Sequence, residues 1–128
     1  MPHPSEHEDA GRPLGDDEAH DLAEALRAFG SASRLRLLWT LSASGEQTVE
    51  ALAEAVGMEQ SAVSHQLGIL RRHRLVAVRR EGRHAHYRLY DHHVPELLAA
   101  LRHHHEHAAA QTGYSTGPVR PLGGPAGA

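Results

Sequence analysis

The chain has 128 residues, 40% of them apolar and 4% aromatic, with no cysteine and a formal charge of −3. That length suits one small domain, whose core must be built from Leu, Ala and Val, a composition that favours packed helices over a β-sandwich. The missing thiols exclude disulfides, zinc fingers and thiolate sites for soft metals, and no apolar run reaches membrane-spanning length.

Residues 1–18, MPHPSEHEDAGRPLGDDE, lack the shape of a signal peptide, so a cytoplasmic protein with no membrane partner is expected. Rich in Pro, Gly and acids, they read as a disordered acidic tail that also holds His3 and His7. From Glu18 to Phe29, the residues Leu22, Ala25, Leu26 and Phe29 fall on one helical face, and Gly30 stops the helix. Ser31 or Ser33 can cap the next helix, SRLRLLWTLSAS, with Leu35, Leu38, Trp39 and Ser42 along one side and Gly45 at its end. Thr48 caps VEALAEAV, although Ala51 three residues on is not the acid of a full capping box. After Gly57, MEQSAVSHQLGILRRH supplies another helix across a short turn, which is helix-turn-helix spacing. LVAVRR and HAHYRLY then alternate as two strands about the turn Glu81-Gly82-Arg83. A histidine-rich helix within YDHHVPELLAALRHHHEHA closes the domain, and residues 109–128, rich in Gly and Pro, read as a second disordered tail. The expected fold is mainly α with a small β-hairpin, a winged helix-turn-helix over residues 19–108.

Charge is unevenly spread along this order. Residues 1–18 carry six acids against one Arg, whereas residues 71–88 carry seven Arg against the single acid Glu81. A basic middle of this kind points to nucleic acid. At about 100° per residue, Val63, Leu67 and Leu70 face the core of the helix that begins near Gln60, while Ser61, His65, Gly68 and Arg72 fall opposite. Gln60, Ser61, Ser64 and His65 can bond to base edges of a major groove, and Arg71 and Arg72 can reach phosphates. Arg79, Arg80 and Arg83 of the hairpin would lie along the neighbouring backbone or minor groove.

SRLRLLWTL followed by MEQSAVSHQLGILRRHRLVAVRREGRHAHYRLYD resembles the ArsR/SmtB family of winged-helix repressors over roughly residues 19–108. The S-x-x-S-H-x-L-x-x-L run, the GR wing and the closing Y-x-L-Y-D occur together and in order. The resemblance implies a homodimer, with the first and last helices at the interface, that binds double-stranded operator DNA and releases it when inducer binds.

The last helix carries the candidate signal site. His93 and His104 are eleven residues apart, so they differ by about 20° in direction but by about 16 Å along the axis. With metal–nitrogen bonds near ~2 Å, one straight helix cannot bring both to one ion, whereas two antiparallel helices about a twofold axis can. His107 lies one turn beyond His104, and Asp91 can cap the helix or offer a carboxylate beside His93. Asp91, His93, His104 and His107 match, residue by residue, the interfacial metal site of the family's last helix, and the GMEQSAVSHQL and YD-x-HV segments are similar to those of its nickel/cobalt sensors. The same resemblance implies Pro2, exposed on removal of Met1, and His3 as two further ligands. Four oxygen and nitrogen ligands suit tetrahedral zinc or cobalt, and nickel prefers more.

The expected function is therefore a transcriptional repressor sensing Ni2+ or Co2+, with Zn2+ as an alternative. A regulator that uses metal as co-repressor or acts with a partner protein keeps the fold and changes the switch. A histidine-rich metal buffer is the alternative from another class. No nucleophile–base pair or phosphate loop suggests an enzyme.

Overall fold

A computed structural model describes residues 11–112. Their elements run α1 (Asp16–Phe29), α2 (Ala32–Ser44), β1 (Gln47–Thr48), α3 (Val49–Val56), α4 (Gln60–Arg72), β2 (Val76–Glu81), β3 (His84–Leu89) and α5 (His93–Thr112). The chain divides into two compact units, one ending at Tyr90 and one beginning at Asp91.

α1 starts at Asp16, ahead of the expected Glu18, because Asp16, Asp17 and Glu18 together place three acids in its first turn, where the helix dipole favours them. Its end is as expected: the N–H of Gly30 donates to Arg27 O at 3.1 Å. The expected apolar face does not close over this unit. Ala28 is buried, whereas Leu22 and Leu26 are 47% and 64% exposed.

Ser31 caps α2, accepting a 3.3 Å bond from the Arg34 N–H. The face of α2 differs from the expected one. Leu37, Leu38 and Leu41 are buried, Leu35 and Trp39 are half-buried and Ser42 is exposed. With Leu or Trp at five positions around the helix, period alone does not choose among them.

α3 begins under the Thr48 cap, whose Oγ1 accepts from Ala51 N at 3.2 Å. It ends at Gly57, at φ +69°, in the left-handed region where glycine is unstrained. The Met58 N–H returns to Ala53 O at 3.0 Å, closing the helix in a Schellman-type turn that aims α4 across α3. Leu37, Leu38, Leu52, Val63, Leu67 and Leu70 have no exposed surface and form the centre of the unit. Burial of each side chain contributes about 1.5–3 kcal/mol.

The sheet has three antiparallel strands in the order β1-β3-β2, one more than the expected hairpin. β2 and β3 pair from Val76↔Leu89 to Glu81↔His84, and β1 adds Gln47↔Tyr87 and Thr48↔His86. Gly82, at φ +60°, takes the first position of the two-residue turn, which a right-twisted hairpin reserves for glycine.

In the second unit, Asp91 Oδ1 accepts from the His93 N–H at 3.0 Å and starts α5. The helix runs on to Thr112, past the expected end at residue 108. Val94 and Leu98 are buried, while Leu97 and Leu101 are 50% and 46% exposed. Among the described residues, no helix is long and apolar enough to cross a membrane.

Candidate functional site

α4 presents two unlike faces. Val63, Leu67 and Leu70 anchor it, and Gln60, Ser61, Ser64, His65, Arg71 and Arg72 are all exposed, as expected of a helix offered to a groove. Beside it lies a cleft of about 230 Å3 lined by Gln60 and Ser64 of α4, Val49 and Glu50 of α3, and Arg83, His84 and Ala85 of the hairpin. Helix and wing thus converge, and a guanidinium, an imidazole, a hydroxyl and an amide, with the Glu50 carboxylate at their edge, meet where a sugar-phosphate backbone could pass. His84 was not among the expected contacts, although its place beside Arg83 at the hairpin turn marks it. A broader concavity of about 740 Å3 at the α3–α4 elbow is lined by Glu50, Glu54 and Glu59 together with Gln60 and Ser61 at the start of α4. Its Glu50, Glu54 and Glu59 carboxylates repel phosphate, so only its Gln60 and Ser61 edge suits nucleic acid.

Arg79 stands differently from Arg80 and Arg83. Its Nη2 donates to Glu46 Oε1 at 2.6 Å and its Nη1 to Glu81 Oε2 at 2.8 Å. His86 adds Nδ1 at 4.0 Å from Glu46 Oε1 and Nε2 at 3.9 Å from Glu81 Oε2. Hydrogen bonding from the Arg79 guanidinium holds both carboxyls below their ordinary range. Arg79 is therefore engaged within the protein, while Arg80 and Arg83 are exposed with it on the hairpin.

Arg34 is a further residue with a role that reading the chain missed. Its Nε donates to Ala28 O at 2.7 Å, its Nη2 to Arg27 O at 3.0 Å, and its Nη1 to Gln66 Oε1 on α4 at 2.8 Å. No local pattern distinguishes it from Arg36, two residues on.

The proposed metal ligands fall into two places on the second unit. At the start of α5, Asp91 Oδ2 lies 3.4 Å from His93 Nδ1, and the His92 and His93 rings are 4.0 Å apart between centroids. Partial desolvation pushes the Asp91 carboxyl up, but hydrogen bonds from the His93 ring and backbone outweigh it, leaving the group below its ordinary value. Near the other end, His104 and His107 are exposed, and the His107 ring stacks with that of His103 at 6.1 Å. His103, itself exposed, is thus a ring neighbour of His107. Among the described residues, no three His, Asp or Glu side chains of one chain are grouped so as to hold an ion. Pro2 and His3 lie outside the described residues.

The donor chemistry nevertheless fits a borderline divalent cation. A carboxylate and an imidazole stand together at one end, imidazoles stand at the other, and all are exposed. Along α5 the directions of His93, His104, Leu97 and Leu101 span about 80°, so the two histidines flank the exposed leucines.

Comparison with known proteins agrees with this architecture. A helix-turn-helix domain family matches residues 29–79. The chain is 48% identical over 95 residues to the HTH-type transcriptional regulator NmtR of Mycobacterium tuberculosis, covering 74% of this chain and 78% of that protein. It is 47% identical over 88 residues to a transcriptional repressor SmtB homolog of Synechocystis, covering 69% and 66%. In structure it is similar to the homodimeric winged helix-turn-helix domain of Mb0332 from Mycobacterium bovis, described as a possible ArsR-family regulator. That match has a TM-score of 0.67 at 34% identity and covers 79% and 94% of the two chains.

Proposed function

Because the chain belongs to the ArsR/SmtB family of winged helix-turn-helix transcriptional regulators, and so binds DNA rather than catalysing a reaction, we propose that it is a homodimeric repressor sensing nickel or cobalt. Metal-free, the dimer holds double-stranded operator DNA with Gln60, Ser61, Ser64 and His65 toward base edges and Arg71, Arg72 and Arg83 toward phosphates. Arg79 joins them only by exchanging its carboxylate partners for phosphate. Asp91 and His93 of one protomer, with His104 and His107 of the partner subunit, would hold the ion, twice per dimer.

The observation that carries this reading is the exposed row His93–Leu97–Leu101–His104 on α5. Its leucines need a cover and its terminal imidazoles are too far apart to share an ion on one helix. A second, antiparallel copy answers both needs. When bound, the metal supplies a fixed bridge between protomers. The chain's own residues turn that bridge into a dimer whose two α4 helices no longer match major grooves about 34 Å apart. By linkage, operator DNA weakens metal binding by the same factor as metal weakens DNA binding. Because the imidazoles must be neutral to bind, the response falls below about pH 6.

A second reading, a zinc sensor, is favoured by the four-ligand set itself, which suits tetrahedral zinc or cobalt. For nickel, which prefers more ligands, Pro2 and His3 would enlarge the set. The GMEQSAVSHQL and YD-x-HV segments, similar to those of the family's nickel/cobalt sensors, support the first reading.

The test is a titration of operator-bound protein with nickel, cobalt and zinc separately, for wild type and His104→Ala. Wild type releases DNA with a coupling of about tenfold or more for the sensed metal, and His104→Ala keeps its DNA affinity without releasing. Tighter operator binding with metal reverses the mechanism, and equal release by His104→Ala removes the site.

A further inference from the structure

The end of α1 is joined to the middle of α4 by one side chain. The carbonyls of Arg27 and Ala28 belong to the last turn of α1, beyond the reach of the regular helical ladder, and the first of them also accepts from the Gly30 N–H. The Arg34 guanidinium, a rigid planar fork, donates to both of them, at 3.0 and 2.7 Å, and places its cation at the negative end of the helix. The remaining arm reaches Gln66 Oε1 at 2.8 Å. Gln66 is half-buried, on the flank of the Val63–Leu67–Leu70 face and about 100° from His65, so it is not turned toward a groove with the reading residues. Three bonds from one planar group therefore fix how the exposed-leucine helix α1 and the groove-reading helix α4 stand to each other.

We propose that Arg34, acting through Gln66, is a positioning residue that sets α4 against the end of α1 and so sets the spacing at which the dimer presents its two α4 helices to DNA. This rests on the reading of α4 as the recognition helix and of α1 as part of the dimer surface. It is independent of which metal is sensed, or whether any is. Loss of the bond leaves the apolar anchor of α4 in place and frees its orientation. Specific recognition, which needs both helices in register, weakens, while backbone attraction, which depends on charge alone, does not.

The experiment uses the full-length metal-free protein and a duplex selected by the wild type from a random-sequence library. Affinity for that duplex is compared with affinity for a scrambled duplex of equal length, and for versions with the half-sites moved one base pair apart or together. Gln66→Ala removes the acceptor, and Gln66→Glu keeps one for Arg34. Gln66→Ala is expected to lose about tenfold in the ratio of selected to scrambled affinity, with scrambled binding unchanged and a flatter dependence on half-site spacing. Gln66→Glu is expected to keep the wild-type ratio. The proposal is overturned if Gln66→Ala discriminates as well as wild type, if both affinities fall together, or if Gln66→Glu fails alongside Gln66→Ala. A wild type with no preference between duplexes instead sinks the DNA reading, and this inference with it.

Discussion

Arg79 shows how much a single charge depends on its neighbours. The bare sequence places it in a run of arginines facing DNA, yet in the folded chain it is shared by Glu46 and Glu81, with His86 alongside both carboxylates. A phosphate can recruit Arg79 only by displacing a charge-assisted bond already made, so these two acids act as internal competitors for the wing. Glu46→Gln is accordingly expected to raise DNA affinity several-fold at low salt and to steepen the salt dependence by about one phosphate contact, read by anisotropy across a salt series. Unchanged affinity and slope would show that Arg79 does not contact DNA. The sign of the pH effect follows from the Arg79 hydrogen bond, which holds Glu46 below its ordinary value of 4.5. A depressed folded pKa means that the pair's contribution is present above 4.5 and is lost as pH falls through the lower folded value. An NMR titration of the Glu46 carboxyl should give a midpoint below 4.5, moving back toward it in Arg79→Ala.

At the scale of the element, α4 is held by one face and exposes the other, the face of the proposed DNA contact. Val63, Leu67 and Leu70 have no exposed surface, whereas Ser64 is exposed in the cleft beside the wing. Leu67→Ala should cost about 2–5 kcal/mol in a urea melt, the cost of a cavity that the surrounding helices fill only in part. Ser64→Ala should leave stability within about 0.5 kcal/mol of wild type and weaken operator binding. Similar stability losses for both would mean that Ser64 serves the fold. α3, at eight residues, is too short to persist without its cap and its packing, and it leans on Thr48 and on buried Leu52, Ala53 and Val56. Thr48 also belongs to β1, so one residue starts the helix and pairs with His86.

At the scale of the molecule, each unit leaves an apolar row open to water. Leu22 and Leu26 are exposed on α1, and Leu97 and Leu101 on α5. Rows of this kind on a small chain mark surfaces that another copy or partner covers. The double change Leu97→Glu with Leu101→Glu puts four carboxylates into the proposed twofold contact. It is expected to give a monomer by sedimentation equilibrium, with operator affinity lost and metal no longer held at two sites per dimer. A variant that stays dimeric would move the interface elsewhere.

What the amino-acid order determined by itself was most of what depends on neighbours along the chain, the start of α1 and the end of α5 excepted. The core face of α4 follows from a 3.6-residue period, the Thr48 cap and the glycines at 57 and 82 from local geometry, and the placing of imidazoles on α5 from the helical repeat. Tertiary structure alone decided the rest. Which side of leucine-rich α2 is buried depends on what packs against it, and β1 exists because β3 offers it a backbone to pair with. Glu46 captures Arg79 across 33 residues and Arg34 reaches Gln66 across 32. Periodicity carries no information over such separations, because charge and hydrogen bonding act through space once the chain has folded.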